Sequence, residues 1–283
     1  MSDLVNMKAT KAIKQTMPGL YSVLKQIYWM SRRQKPLTKL LGTKWQRSRD
    51  LIEVYITYEC NLKCINCDVS SRQAQSDEQM TIEQINKFIG ESINSGVKWK
   101  KIRVMGGEPT LHSDILEILN LLLNYKETYS PDTRIQLITN GFGKVVNNIL
   151  SQVPEKIEIE NSNKKTANQL FSAFNIAPQD YISYKFADYS NACPVTSHCG
   201  IGLTPYGYYC CGIAGSIDRV FGFNISRKKI PAFDDSMIDQ LQVFCKLCGH
   251  FMSNNTVEKE IMSPTWEKAY EKYKKKKPDM DNY

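Results

Sequence analysis

The sequence predicts an α/β protein, a partial (β/α) TIM-like barrel of five to six parallel strands followed by a small cysteine-rich module. The main observation is that from residue 51 onward the hydrophobic period changes repeatedly between two and 3.6, as it does where strands alternate with helices. A second observation is that six of the nine cysteines follow residue 190, where this alternation stops. Parallel strands joined by right-handed helical crossovers account for the first pattern.

Strands are predicted at five places, with helices between them. The first strand, 51–57, is followed by a loop that carries three cysteines. Thr81 and Gln84 can form a capping box at the start of the first helix, and Ser113 or Asp114 can begin the second. The other strands are expected at 101–105, 133–139, 156–160 and 181–187.

Changes in composition divide the chain into four segments. Residues 1–50 form a basic helical arm, 51–190 the partial barrel, 191–252 the cysteine-rich module and 253–283 a C-terminal helix with a basic tail. In the module, the stretch 191–211 holds four cysteines and predicts a β-hairpin that turns near Pro205 and Gly207. Cys245 and Cys248 follow it in the pattern CxxC.

The positive charge of the chain is concentrated in the arm. Residues 1–50 hold 11 of the 37 Lys+Arg and 2 of the 29 Asp+Glu, a charge of +9, whereas the remainder has 26 basic and 27 acidic residues. This arm either packs on the barrel as a helix with a solvated basic face, rests on an anionic membrane, or holds an acidic substrate. Nucleic-acid binding is not expected, because no recognised binding motif is present. The apolar residues at helical spacing are Leu20, Val23, Leu24, Ile27 and Tyr28.

Targeting signals are not evident in the sequence. The first ten residues lack the apolar stretch of a secretory signal, and Glu117 and Asn120 interrupt the most apolar run, ILEILNLLL. We therefore expect a soluble, cytoplasmic protein. Its nine cysteines should stay reduced there and be available for metal or redox chemistry.

The loop after the first strand, YECNLKCINCD, carries Cys60, Cys64 and Cys67. A tetrahedral zinc site would need a fourth Cys or His, and none lies between Asp68 and the next predicted strand. A 4Fe-4S cluster held by three thiolates, in contrast, leaves one iron open to a small molecule. The segments GGEP, at 106–109, and TNG, at 139–141, follow the next two predicted strands, so they should meet this loop at the carboxyl edge of the sheet. A structural zinc site is the alternative.

CNLKCINC resembles the CxxxCxxC motif of radical S-adenosylmethionine (SAM) enzymes, and GGEP resembles the motif that follows their second strand. The resemblance covers roughly residues 51–190 and implies that the three cysteines ligate a 4Fe-4S cluster whose open iron binds SAM. It also implies a set of SAM-binding residues. Those are Gly106, Gly107 and Glu108 for the amino group, Asn140 near the ribose, and Ser162 as a further contact.

Two details of these motifs bear on how SAM would be held. Gly106 and Gly107 allow the backbone to approach a ligand, and Glu108 offers an acceptor for an ammonium group. Asn66, just before the last cysteine, departs from the family, in which an aromatic residue is common there, so the usual packing beside the adenine is in doubt. His112, near the expected SAM site, is interpreted as an ordinary polar neighbour.

The resemblance implies radical chemistry supplied by the cofactor. One electron from a flavodoxin- or ferredoxin-type reductant enters the cluster, SAM is cleaved, and the 5′-deoxyadenosyl radical takes a hydrogen atom from an unactivated C–H bond of the substrate. The protein must therefore exclude water and hold the reacting carbon close.

The C-terminal cysteines resemble the twitch or SPASM extension of the family, which holds an auxiliary 4Fe-4S cluster beside the substrate. Such a cluster takes four thiolates. Cys193 is preferred to Cys199 because its spacing to Cys211 is similar to that in a twitch dehydrogenase that acts on an aminocyclitol. Zinc is the alternative metal, with His198 or His250 as ligands. The expected ligands are Cys193, Cys211, Cys245 and Cys248.

The two remaining cysteines, Cys199 and Cys210, are candidate hydrogen-atom donors. A thiol that returns a hydrogen atom to the substrate radical makes an epimerase, whereas a cluster that accepts the radical's electron makes a dehydrogenase. The simpler interpretation of each is a small buried hydrophobic residue.

The expected substrate is a sugar, aminocyclitol or glycan, because CGIGLTPYGYYCCG resembles radical enzymes of carbohydrate metabolism. A peptide-modifying enzyme is the alternative, and a non-catalytic iron-sulfur electron carrier is the alternative from another class. The sequence does not indicate an oligomeric state.

Overall fold

A computed structural model describes residues 16–167, 171–252, 256–257 and 259–283. The helices of the described residues are α1 (Pro18–Arg32), α2 (Lys35–Leu41), α3 (Ile82–Asn94), α4 (Ile115–Thr128), α5 (Lys144–Leu150), α6 (Pro194–His198), α7 (Gly212–Phe221), α8 (Ile238–Phe244) and α9 (Pro264–Lys275). The strands are β1 (Leu51–Thr57), β2 (Lys101–Gly106), β3 (Arg134–Thr139), β4 (Glu158–Asn161), β5 (Phe171–Ser172), β6 (Ile201–Thr204), β7 (Gly207–Tyr209) and β8 (Thr256–Val257).

The main sheet has six strands in the order β4-β3-β2-β1-β6-β7. The first five of these are parallel, and β7 returns antiparallel to β6 as a hairpin. The prediction of a partial barrel of five to six mostly parallel strands is confirmed. The hairpin that turns at Pro205 is also where the sequence predicted it, although it extends the barrel sheet instead of lying apart from it.

The predicted fifth strand, 181–187, is wrong. This stretch contains the short 3-10 helix Ile182–Tyr184, and β6 takes the place of the fifth parallel strand. The reason is burial: Ile182 is 90% and Phe186 65% exposed, whereas all residues of β6 are buried between neighbouring elements. A strand in a parallel sheet needs other elements packed against both of its faces. Of the two segments, only β6 is packed in this way.

The capping box predicted for the first helix is confirmed. Thr81 accepts a hydrogen bond from the backbone N–H of Gln84, and the Gln84 side chain accepts one from the N–H of Thr81. Because both orphan N–H groups are satisfied, α3 begins where the sequence indicates. Its apolar face, with Ile85 and Phe88, is buried in the core.

The two faces of the barrel sheet differ in chemistry. Residues such as Ile52 and Val54 of β1 are fully buried in the aliphatic core. The intervening residues point to the other face, since side chains alternate along a strand. There the register aligns Glu53 with Arg103, Arg103 with Gln136, and Gln136 with Glu158. The sheet therefore presents a continuous polar row on its inner face.

The N-terminal arm is attached through its end and not through its apolar stripe. The five stripe residues predicted from the sequence are 46% to 55% exposed, so of the three alternatives for the arm, packing of this stripe on the barrel is wrong. The attachment is made by the buried Arg33, which donates to the Met252 carbonyl oxygen, and by the buried Arg32, whose Nη1 lies 3.5 Å from Oδ1 of Asn191. Among the described helices, none is long and apolar enough to cross a membrane.

Candidate active site

The cysteine loop after β1 and the GGEP segment after β2 are joined by their backbones. The N–H of Gly107 donates to the carbonyl oxygen of Thr57 at 2.9 Å, and that of Glu108 to Glu59 at 2.8 Å. A Cβ at Gly106 would lie 2.2 Å from the Thr57 carbonyl oxygen, and one at Gly107 would lie 2.2 Å from that of Glu59. These glycines are thus required by close packing of the two loops, a reason that the sequence did not reveal.

The carboxylate of Glu108 joins the second and third strand ends. It is fully buried and accepts four hydrogen bonds, from the Thr110 N–H and hydroxyl, the Thr139 hydroxyl and the Asn140 N–H. Oε1 accepts three of these bonds and Oε2 accepts one, so Oε2 keeps a lone pair for a further donor. The prediction that Gly106, Gly107 and Glu108 receive the SAM amino group stays a prediction.

The three cysteine thiols of the loop are close enough for their thiolate forms to repel one another. Burial and this repulsion raise the pKa of Cys60 to about 12, and burial followed by the charge of Asp68 raises that of Cys67. Burial also raises the pKa of Cys64. The sulfur of Cys60 accepts from the Leu62 N–H at 3.4 Å. Grouped thiols with an N–H directed at sulfur suit an iron-sulfur cluster, which binds thiolates and is tuned by such hydrogen bonds.

Asn140 lies at the edge of this group. Its Nδ2 is 3.9 Å from the Cys60 sulfur and donates to Asn61 at 2.9 Å, while its Oδ1 accepts from the Phe142 N–H at 2.7 Å. Ser162 is exposed and donates to the carbonyl oxygen of Thr139 at 3.0 Å. The structure thus brings Asn140 to the cysteine loop, whereas Ser162 lies one strand further along the edge of the sheet.

Asn66, the departure from the family pattern, has a role in this chain. Its backbone is left-handed, with φ of 49°, a conformation that Asn tolerates better than most residues. The side chain is fully buried, donates to the carbonyl oxygen of Lys259 at 2.8 Å and accepts from the Ile261 N–H at 3.0 Å. It therefore ties the cysteine loop to the C-terminal segment.

Arg219 secures the stretch that follows the cysteines. Its guanidinium donates to the carbonyl oxygens of Val69 and Ala74 at 2.7 and 2.8 Å and lies over the Tyr58 ring at 4.2 Å. His112 is a structural neighbour, as predicted, because Nε2 contacts the Met80 carbonyl oxygen at 2.7 Å and burial lowers the pKa of the ring.

The inner face of the sheet holds a polar cluster that sequence reasoning missed. Glu53, buried on β1, accepts from Arg103 Nη1 at 2.5 Å and from the Tyr55 hydroxyl at 3.3 Å. Arg103 also contacts Glu160 at 3.4 Å, and its Nη1 lies 3.7 Å from the Cys199 sulfur. The sequence did contain a signal for this cluster: a glutamate inside the otherwise apolar strand LIEVYIT. A buried carboxylate requires a partner, so a basic side chain was to be expected beside it.

Two polar atoms of this inner face have no hydrogen-bond partner among the residues that the structure describes. They are Nε of Arg103 and Oε1 of Gln136, which are buried on adjacent strands in register. The first can only donate and the second can only accept. A buried polar group without a hydrogen bond costs free energy. Water, or a ligand with hydroxyl or amino groups, would stabilise this surface by forming hydrogen bonds with both atoms.

A second cysteine site lies in the C-terminal part. Cys193, Cys210, Cys211, Cys245 and Cys248 line a small cavity of about 20 Å³ whose other lining residues are mostly apolar. The four expected auxiliary ligands are thus brought together, along with Cys210, whereas Cys199 is on the inner face of the barrel. Five thiols around one apolar cavity fit an iron-sulfur cluster in chemistry and in number.

The histidines expected for zinc are in different places. His250 lines the cavity, and burial lowers its pKa, while the His198 ring packs against Trp45 at 5.9 Å between centroids. Among the residues that the structure describes, no three His, Cys, Asp or Glu side chains are arranged to hold a single metal ion.

Residues 54–158, a little more than a third of the chain, match the sequence model of the Radical SAM superfamily. Members use a 4Fe-4S cluster and SAM, and the grouped thiols of the cysteine loop fit such a cluster.

Curated relatives align over the same region. A probable GTP 3′,8-cyclase of Methanocaldococcus jannaschii is 34% identical over 115 residues, which is 41% of this chain and 34% of that protein. The GTP 3′,8-cyclase of Aliarcobacter butzleri is 29% identical over 136 residues, 44% of this chain and 38% of that protein. The chain therefore spans little more than a third of these relatives. A nucleotide substrate was not among the predictions from the sequence.

Solved structures are more distant. The structure of BtrN in complex with AdoMet and 2-DOIA aligns with 77% of this chain and 98% of that chain, with a TM-score of 0.41 and 15% identity. Streptococcus suis SuiB bound to its precursor peptide SuiA aligns with 38% of this chain and 23% of that chain, with a TM-score of 0.29 and 22% identity.

Proposed function

We propose that the protein is a radical SAM enzyme that abstracts a hydrogen atom from a sugar, aminocyclitol or glycan and leads to its epimerisation or dehydrogenation. When bound, the cluster and SAM supply a 5′-deoxyadenosyl radical that takes this hydrogen atom. The observation that carries the proposal is the superfamily match of a domain whose cysteine loop borders a polar inner face. A flavodoxin- or ferredoxin-type protein would supply the electron.

The cysteine loop would hold the cluster through Cys60, Cys64 and Cys67, with SAM beside the backbone of Gly106 and Gly107. Asn140 adjoins Cys60 and would orient the ribose end. The C-terminal segment, tied down by hydrogen bonds from the loop, would exclude water from this side of the site.

The inner face supports a substrate rich in hydroxyl or amino groups. Arg103 is engaged by Glu53 and Glu160, so its charge is neutralised and its unpartnered Nε remains as a hydrogen-bond donor. Oε1 of Gln136 offers the matching acceptor. A triphosphate would instead need a basic side chain on this polar row whose charge is not already neutralised by a carboxylate. The names of the curated relatives favour a nucleotide as the second candidate substrate.

Cys199 is the better placed of the two candidate hydrogen-atom donors. It lies at the inner face beside Glu53 and Arg103, where burial and the negative charge of Glu53 raise its pKa and keep it a thiol. Only the thiol can return a hydrogen atom, and the thiyl radical left on Cys199 would be restored to the thiol by one electron from the same reductant and one proton. Cys210, in contrast, is enclosed at the second cysteine site, where its hydrogen bond with Cys211, followed by burial, raises its pKa.

We further propose that Cys193, Cys211, Cys245 and Cys248 hold an auxiliary 4Fe-4S cluster. The cavity that they line supports this assignment. In a dehydrogenase this cluster would receive the electron of the substrate radical, and in an epimerase Cys199 would act instead. Zinc at the same site, with His250 as a ligand, is the alternative metal.

Turnover in D₂O tests the proposal. Anaerobically reconstituted enzyme with reductant and SAM is given a carbohydrate pool, GTP or a peptide library, and 5′-deoxyadenosine is measured. We expect formation to rise with carbohydrates. A rise with GTP or peptides alone would favour the nucleotide or peptide-modifying alternative, and no substrate-dependent rise would favour an electron carrier.

The donor is tested with the same assay. For an epimerase, Cys199→Ala should still form 5′-deoxyadenosine but lose deuterium incorporation into the product, and Cys210→Ala should retain it. Retained incorporation in Cys199→Ala would show that another group returns the hydrogen atom.

The exposed surface of the arm supports one more proposed interaction, contact with an anionic membrane. Its apolar stripe, which ends at Tyr28, is exposed on α1, Trp29 follows it, and Lys44 lies 3.9 Å from the Trp29 ring centroid. An apolar stripe with aromatic and basic neighbours is typical of helices that lie in a membrane interface.

A further inference from the structure

Within the described part of the chain, Arg33 is a buried cation without an acidic partner. It is only 5% exposed, and among the described residues no Asp or Glu forms an ion pair with it. Its contacts are neutral: Nη1 donates to the Met252 carbonyl oxygen at 2.8 Å, and the guanidinium lies 4.7 and 5.3 Å from the centroids of the Phe251 and Trp29 rings. A buried charge is costly unless an opposite charge accompanies it.

The guanidinium packs against a residue that lines the second cysteine site. It lies 4.7 Å from the centroid of the Phe251 ring, and Phe251 lines the cavity between the cysteines. Burial lowers the pKa of Arg33, and the thiolate forms of Cys193 and Cys245 are close enough to oppose this change. Arginine keeps its charge under such conditions. The opposite charge that it lacks would therefore come from this site.

We propose that Arg33 is the counter-ion of the auxiliary cluster and raises its reduction potential. This rests on the proposed auxiliary cluster. A 4Fe-4S cluster with four thiolate ligands is an anion, and reduction by one electron makes it more negative. A fixed positive charge beside it stabilises the reduced form more than the oxidised form, and net charge is one determinant of cluster potential. The arm thus has a function at its anchored end, where it places Arg33 against Phe251.

Arg32 provides a matched control. It is the neighbouring residue, is also buried, and donates to the Gly42 carbonyl oxygen at 2.8 Å and to Asn191 at 3.5 Å. Both arginines therefore anchor the arm, but only Arg33 contacts a ring that lines the cavity. A change that merely loosens the arm should affect both variants alike.

The test uses the full chain with Cys60→Ala, Cys64→Ala and Cys67→Ala, so that only the auxiliary site can hold a cluster. Arg33→Met, Arg33→Lys and Arg32→Met are added separately, iron is counted, and the midpoint potential is measured by EPR-monitored titration. We expect a more negative potential in Arg33→Met, a partial return in Arg33→Lys, and little change in Arg32→Met. Loss of iron from Arg33→Met alone would support the same role.

Two results would overturn the proposed role of Arg33 without excluding an auxiliary cluster at this site. One is an Arg33→Met variant that keeps its iron with the potential of the Arg32→Met control. The other is an equal loss of iron from Arg33→Met and Arg33→Lys, which would indicate packing and not charge. If the triple cysteine variant itself holds no iron, or holds zinc, the auxiliary cluster and the role of Arg33 both fail.

Discussion

Replacement of Glu108 by glutamine tests how the strand ends are joined. The change preserves shape but converts one carboxylate oxygen into an NH₂ group. Oε1 accepts three hydrogen bonds and Oε2 accepts one, from the Asn140 N–H at 2.8 Å. The amide oxygen will take the side with three donors, so its NH₂ group will face the Asn140 N–H.

The cost can be worked out from this arrangement. One hydrogen bond to a charged acceptor is lost, and such bonds contribute about 1.5–3 kcal/mol. The other three weaken because their acceptor becomes neutral, while burial of an amide costs less than burial of a carboxylate. We therefore expect the free energy of unfolding to fall by about 2 kcal/mol. Glu108→Ala, which leaves four donors unsatisfied, should lose at least about twice as much.

Urea unfolding of the anaerobically reconstituted protein measures this loss, with Glu155→Gln as the control because Glu155 is exposed. The control should change stability by less than about 0.5 kcal/mol. An unfolding curve for Glu108→Gln that coincides with that of the control would refute the assignment of these hydrogen bonds.

Two further predictions concern the loops and the arm. Gly107→Ala places a Cβ 2.2 Å from a carbonyl oxygen of the cysteine loop and should prevent SAM binding, as measured by calorimetry. Gly90→Ala, in open space on α3, should instead stabilise the protein by about 0.5–1 kcal/mol, and equal behaviour of the two would contradict the packing argument. Leu24→Glu with Ile27→Glu should abolish sedimentation with phosphatidylglycerol vesicles, whereas Phe233→Glu should not. Binding that survives the double change would exclude the stripe as the contact.

Local signals predicted the parts of the molecule that depend on neighbouring residues. The cysteine motif, the capping box at Thr81 and the hairpin at Pro205 are all contained in short stretches, and each lies where the sequence placed it. The mistaken strand at 181–187 had the same alternation as a true strand. Only its tertiary surroundings, which leave Ile182 exposed, exclude it.

Features that depend on distant pairing were not predictable in this way. Glu53 and Arg103 meet because β1 and β2 pair in register, and Arg33 is buried because it contacts Met252, far along the chain. From the sequence alone, Arg33 was one basic residue among many in the arm. The same limit applies to Glu108, whose partners lie partly on the next strand.

The central claim is that the chain holds two separate cluster sites, one in the radical SAM domain and one at the C-terminal cysteines. It is tested most directly by iron, sulfide and zinc analysis of the reconstituted wild type and of the variant with Cys60→Ala, Cys64→Ala and Cys67→Ala. Wild type should contain about eight irons and the variant about four, with matching sulfide and without zinc. A variant that retains no iron, or that retains zinc, would contradict the claim.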